Sequence, residues 1–163
     1  MQKEEFKRIF DQFYHPIKNF LYYKLGDVDL AEDITQEVFL KAWQKRDGIV
    51  METVKSLLYT IASNLAVNHF NSARHKYEFG LNHEDKASGE SPHYRMEEVE
   101  FAEKLQSVIG KLPENQRVVF LMNRIDDLTY KEIAQRLDIS VKAVEKRMHK
   151  ALELLKSHIE HKI

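Results

Sequence analysis

The segment Leu128–Leu155, LTYKEIAQRLDISVKAVEKRMHKALELL, decides how the rest of the chain is read. Thr129 can cap a helix N-terminus, and Glu132, three residues on, can close a capping box ahead of an apolar helix. Ile133, Ala134 and Leu137 recur at helical spacing, so one face of this short helix is buried. Asp138-Ile139-Ser140 then breaks it with a residue able to turn, an apolar plug and a fresh N-cap. The spacing predicts a second helix from about Val141, with Val144, Met148, Ala151, Leu152 and Leu155 inward. Lys142, Glu145, Lys146, His149 and Lys150 point outward from it. A short helix, a tight turn and a second helix with a basic outer face describe a helix-turn-helix, whose second helix enters a DNA major groove. A plain helical hairpin with a solvated face shares this outline. Small Ala134 at the close approach of the two helices, and Val144 as inner anchor, favour the DNA reading.

The 163-residue chain has room for one ordinary domain or two small helical ones. With five glycines, three prolines and abundant helix formers, the expected fold is all-α. There is no cysteine, which excludes disulfides and thiolate metal sites and fits a reducing compartment. The apolar runs are too short to span a membrane and the N-terminus lacks a signal-peptide core, so a cytoplasmic protein without membrane insertion is expected. Eight histidines are scattered along the chain. No H-E-x-x-H, Gly-rich phosphate loop or nucleophile motif accompanies them, so no catalytic residue, metal or cofactor is expected.

Net charge is −1, but the charge is sorted along the chain. Residues 27–37 hold five acids and no base, while residues 55–77 hold no acid. Residues 84–103 hold seven acids against two bases, and residues 129–163 eight bases against five acids. Such sorting implies separate surfaces for separate partners.

Upstream, Phe6, Ile9, Phe10 and Phe13 sit at helical spacing until Pro16, where a second helix is expected to begin and to run through Ile17, Phe20, Leu21 and Leu25. Asp29 is the expected cap of the next helix, DLAEDITQEVFLKAW, whose buried stripe is Ala31, Ile34, Val38 and Ala42. Asp33, Gln36, Glu37 and Leu40 share another face at i, i+3, i+4 and i+7, either a solvated acidic face or a protein docking site. Asp47-Gly48 signals a turn, and the consecutive Ile49, Val50 and Met51 either fold back onto the core or line a pocket. In KSLLYTIASNLAVNHFNSARHKY, Leu58, Ile61, Ala62 and Leu65 form a buried stripe. Asn64, Asn68 and Asn71 share a second face, with Tyr59 near and Lys55 and Arg74 flanking. Amides read base edges, aromatics stack on unpaired bases and cations neutralise phosphate. Residues 79–97 lack apolar periodicity and read as a flexible acidic linker. Helices resume after it, and Leu112-Pro113-Glu114 opens one that packs Val118, Val119, Leu121 and Met122 against the helix-turn-helix.

Three of these stretches together resemble the extracytoplasmic-function (group 4) branch of the bacterial sigma-70 family. DLAEDITQEVFLKAW is similar to the second-domain helix that docks on the β′ clamp helices of RNA polymerase. SLLYTIASNLAVNHF is similar to the helix that follows it. LPENQRVVFLMNRIDDLTYKEIAQRLDISVKAVEKRMHKAL is similar to the fourth sigma domain. The resemblance implies region 2 over residues 1–78, a linker over 79–97 and region 4 over 98–163. It implies polymerase contacts at Asp33, Gln36, Glu37 and Leu40. It implies −10 contacts at Asn64 and Asn68 and a flipped-out base held by the loop around Gly48, Ile49, Val50 and Met51; the amide, aromatic and cationic chemistry of the same helix adds Lys55, Tyr59, Asn71 and Arg74 to the expected −10 contacts. Contacts to the −35 duplex fall at Lys142, Glu145, Lys146, Arg147, His149 and Lys150. Core RNA polymerase, promoter DNA both duplex and single-stranded, and an anti-sigma factor (membrane-bound in many relatives) are the implied partners. Glu145 stands where many relatives carry Arg; as a hydrogen-bond acceptor it favours cytosine N4. The loop before Lys55 lacks the aromatics of some relatives. A stand-alone helix-turn-helix regulator is the alternative, but it gives no reason for the acid-free Asn helix or the acidic face at Asp33.

Overall fold

In the computed structural model, described over residues 1–73 and 104–160, every regular element is helical. Side chains are described over residues 1–69 and 104–158, so the linker expected at 79–97, Arg74 and the side chain of Asn71 lie outside the described residues. The first unit is three helices: α1 (Lys3–Leu25), α2 (Val28–Gln44) and α3 (Val54–Ala73), each packed on the other two. The second comprises α4 (residues 104–111), α5 (Glu114–Arg124), α6 (Tyr130–Leu137) and α7 (Val141–Glu160).

The expected break at Pro16 does not occur: α1 runs unbroken for 23 residues with Pro16 inside it. Proline costs a helix one N–H bond. Here the acceptor left over, the carbonyl of Gln12, belongs to an exposed residue that water can serve. The stripe Ile9, Phe13, Ile17, Phe20 and Leu21 stays buried across the proline and holds both halves in line. Gly26, at φ 77°, ends the helix in the left-handed conformation that glycine adopts freely, its N–H donating to Tyr22 O at 2.7 Å. The next cap is Asp27, not Asp29: its carboxylate accepts from Leu30 N–H at 3.1 Å, which places Asp29 in the first turn of α2.

Ala31, Ile34, Val38 and Ala42 are fully buried on α2, as are Leu58 and Ala62 on α3, with Ile61 and Leu65 nearly so. Between these helices Arg46–Gly48 forms a single 3₁₀ turn, as Asp47-Gly48 predicts. In the second unit Val118, Val119, Leu121 and Met122 on α5 meet Ile133, Ala134, Val144, Met148, Ala151 and Leu155. Leu152 departs from expectation. It is 40% exposed, because it follows Ala151 on the helix and has rotated out of the stripe that α5 covers.

Candidate functional site

The helix-turn-helix is built by local hydrogen bonds. Thr129 Oγ1 accepts from Glu132 N–H at 3.1 Å and Glu132 Oε1 accepts from Thr129 N–H at 3.0 Å, a complete capping box. Those bonds from Thr129 hold the Glu132 carboxyl below the usual range. Asp138 takes φ 55° at the C-cap, and its N–H returns to Ala134 O. Ser140 Oγ then accepts from Ala143 N–H at 3.0 Å and starts α7. The chain thus reverses in a few residues, and α7 is held from one side by α5 and α6. Lys142, Glu145, Lys146, His149 and Lys150 are exposed on its outer face, with His149 Nε2 2.9 Å from Glu153 one turn on. Arg147 is different. It is half-buried and borders a cavity toward the first unit.

On α2, Asp33 and Gln36 are exposed, Glu37 is half-exposed, and Leu40 is 57% exposed among them. His69 Nε2 on α3 lies 3.6 Å from Glu37 Oε2. Beyond Leu40 a shallow groove of about 480 Å³ opens between α1 and Trp43, walled by Phe6 and Phe10. Phe6 meets the Trp43 ring edge-on at 5.0 Å, and the Arg46 guanidinium covers that ring at 4.0 Å.

Of the residues expected beside an unpaired strand, Val50 and Met51 are more than half exposed, while Ile49 folds partly onto the core. A Cβ added at Gly48 would meet nothing within 4 Å, so open space surrounds this turn. Lys55 is half-exposed, and Asn64 and Asn68 are exposed. Thr60 and Ser56, one and two turns before Asn64, are exposed too and extend the amide face into a neutral hydrogen-bonding strip. Sequence reasoning passed over both because a hydroxyl on a helix has no distinguishing pattern; the steps of four from Ser56 through Thr60 to Asn64 were the available signal. Tyr59 departs from expectation: it is 2% exposed, edge-on to Phe20 at 5.2 Å, and its hydroxyl accepts from Arg136 Nη1 at 3.1 Å. It offers no ring for a base to stack on here.

The residues missed altogether lie where the two units meet, α1 against α5 and α3 against α6. Arg117 is 5% exposed, and its guanidinium donates to Tyr23 O at 2.8 Å, Lys24 O at 2.9 Å and Leu112 O at 2.9 Å. Two of those carbonyls end α1, where a helix presents unpaired acceptors and partial negative charge. Tyr23 Oη donates to Asp126 Oδ1 at 2.6 Å and Asn19 Nδ2 donates to the same oxygen at 3.3 Å. Lys24 pairs with Glu114 beside them. Burial lifts the Asp126 carboxyl above the usual aspartate range, against the lowering effects of Tyr23, Asn19 and the Arg136 cation. Burial next to that carboxylate also pushes the Tyr23 phenol up.

Among the described residues no cluster of His, Asp or Glu has metal-binding geometry, and no helix is long and apolar enough to cross a membrane.

Comparison with known proteins matches residues 9–76 to Sigma-70 region 2 and residues 102–155 to Sigma-70, region 4. The chain is 30% identical to ECF RNA polymerase sigma factor SigW of Bacillus subtilis over 168 residues, covering 96% of this chain and 90% of SigW. It is 30% identical to the ferric citrate uptake sigma factor FecI of Escherichia coli, covering 91% and 87%. Among solved structures, CnrH in complex with the cytosolic domain of CnrY superposes with TM-score 0.64 at 21% identity over 98% of this chain and 90% of that one. The sigma factor RpoE with the anti-sigma factor NepR from Bartonella quintana also gives 0.64, at 18% identity over 96% and 98%. These two likenesses extend the agreement to the fold.

Proposed function

The chain belongs to the ECF RNA polymerase sigma factors of the sigma-70 family, and from that premise we propose how its surfaces divide the work. Residues 1–78 act as region 2 and 98–163 as region 4, with 79–97 linking them. The exposed Asp33, Gln36, Glu37 and Leu40 face of α2 docks on the β′ clamp helices of core polymerase. The strip Asn64–Asn68, with Lys55 and the open turn at Gly48–Met51, captures the melted −10 strand. Lys142, Glu145, Lys146, His149 and Lys150 read the −35 duplex, with Arg147 joining them only if it leaves the cavity it borders. The protein itself catalyses nothing: it supplies promoter choice to a polymerase that performs the chemistry, working in the cytoplasm. RpoE is described with an anti-sigma factor, and the same class of inhibitor fits a chain with these faces.

The observation that carries this reading is the order of three chemically distinct exposed faces on one chain. An acidic face with one apolar residue suits protein docking, a neutral amide strip suits unpaired bases, and a cationic helix suits duplex phosphate.

The test is to mix the purified protein with core RNA polymerase and sequence the transcripts initiated on genomic DNA. Sharply defined new start sites are expected. Asp33→Arg with Glu37→Arg is expected to abolish polymerase binding with unchanged helix content; unchanged affinity would remove the docking face from α2. Sequence-specific duplex binding without any affinity for polymerase would favour a stand-alone regulator instead.

A further inference from the structure

We propose that Val67 is a specificity residue of the strand-capture strip: it receives the 5-methyl group of a thymine in the unpaired −10 strand while the Asn64 amide donates to the neighbouring O4. The inference rests on the sigma-factor reading above and names the base that one position of α3 prefers.

Val67 is an apolar side chain from which the fold gains nothing. It is 49% exposed and takes no part in the hydrophobic core, although Leu65 and Ala66 beside it are buried there. Valine is also a poor choice for an exposed helix position, because its branched Cβ is restricted against the preceding turn. Single exposed apolar residues are ordinary on protein surfaces. Val67 differs in its surroundings. At about 100° per residue it falls in line with Ser56 and Thr60, within about 20° of each, with Asn64 to one side and Ser63 to the other. Every one of those neighbours is polar and uncharged, and all but the half-buried Ser63 are exposed.

The amides beside it are unengaged. Among the described residues neither the Asn64 nor the Asn68 side chain makes a hydrogen bond, so their donors and acceptors are open to an outside partner. Asn64 and Val67 are three residues apart, a spacing that makes them surface neighbours about 5–6 Å apart between Cβ atoms.

That pairing selects one base. Thymine carries an acceptor, O4, and a methyl group on adjacent ring carbons. Cytosine offers an amine in place of O4 and no methyl, and the purines have no methyl at all. An amide both donates and accepts, so Asn64 alone discriminates little. The apolar neighbour supplies the discrimination, because only a methylated base covers it and leaves less apolar surface in water.

The test uses the full chain with core RNA polymerase and a promoter whose −10 strand is left unpaired. Each thymine of that strand is replaced in turn by deoxyuridine, which deletes the methyl group and nothing else. One replacement is expected to lower affinity about fourfold, the effect of one buried methyl. Val67→Ala is expected to remove that sensitivity while leaving −35 duplex binding unchanged. Residue 67 is exposed and alanine is the better helix former, so the variant should keep the wild-type helix content. Tolerance of deoxyuridine at every position, or a loss that persists undiminished in Val67→Ala, overturns the assignment.

Binding without polymerase separates this result from the sigma-factor reading. The full chain is titrated with a randomised single-stranded pool made with thymidine or with deoxyuridine. A chain that never joins polymerase, yet prefers the thymidine pool and loses that preference in Val67→Ala, would count against the sigma-factor reading and uphold the methyl contact. Equal binding of the two pools by the wild type would overturn the contact whatever polymerase does.

Discussion

Helices α3 and α7 are both 20 residues long and both carry proposed DNA contacts, yet they are built differently. The described part of α7 is buried along one stripe, Val144, Met148, Ala151 and Leu155, and its outer face carries four exposed lysines. On α3, Val54, Leu58, Tyr59, Ile61, Ala62, Leu65 and Ala66 are all buried, because α1 and α2 cover one side and α6 another. Among the described side chains of α3, what remains fully exposed is narrow and uncharged: Ser56, Thr60, Asn64, Val67 and Asn68. A helix that binds duplex needs cations for two lines of phosphate. One that holds extruded bases gains more from neutral donors and acceptors fixed on a rigid support, since unstacking must be offset base by base.

The largest effect that would break this contrast is on strand capture. Asn64→Ala with Asn68→Ala is expected to slow promoter opening by about a hundredfold, equivalent to two lost base contacts of roughly 1.4 kcal/mol each. Duplex binding at −35 should be untouched. Permanganate footprinting checks it, and normal opening would return α3 to a merely polar helix. Next comes Glu145→Arg, expected to shift preference at one −35 base pair by about 1–3 kcal/mol, from a cytosine to a guanine contact. Binding to a randomised −35 library reads this directly, and an unaltered sequence logo would move residue 145 off the base edges. Lys146→Ala with Lys150→Ala should lower affinity more evenly across sequences. The slope of log affinity against log salt should lose about 0.9 for each phosphate contact removed. An unchanged slope would place both lysines away from DNA.

The smallest expected effect concerns pH where the two units meet. There Asp126 meets Tyr23 and Asn19 from α1, Arg136 from α6 and, more distantly, Tyr59 from α3. Its carboxyl there titrates above the ordinary value of 3.8, so the ionised form is the one that this packing penalises. That penalty is complete above the raised value and vanishes as pH falls through it toward 3.8, so acidification tightens the contact between the units. Scattering should report a modest compaction as pH falls toward 3.8 in the wild type and none in Asp126→Asn. Expansion on acidification would reverse the sign argued here.

What the sequence made legible was local. The capping box at Thr129–Glu132, the Ser140 cap and the stripes on α2, α3 and α7 depend on residues three or four apart, and period alone reveals them. Pro16 misled because propensity was read without the packing that overrides it. Asp29 misled because Asp27, two residues earlier, serves equally well as a cap. Arg117 was invisible for another reason. It lies 94 residues from Tyr23 and 93 from Lys24, and nothing in NQRVVF marks a cation destined for another domain's helix end. Tyr59 looked like a stacking ring because no periodicity shows that α6 covers that side of α3.

The distance along the chain between partners in the two units also sets a schedule. Helices form in about a microsecond, but at about 5–20 residues per second the ribosome needs several seconds to pass from the end of α3 to Arg136. Arg117 and Asp126 likewise arrive long after Tyr23 has folded into its helix. Every newly made molecule therefore spends its first seconds with the end of α1 uncovered, and youth alone distinguishes it from an older copy of the same sequence.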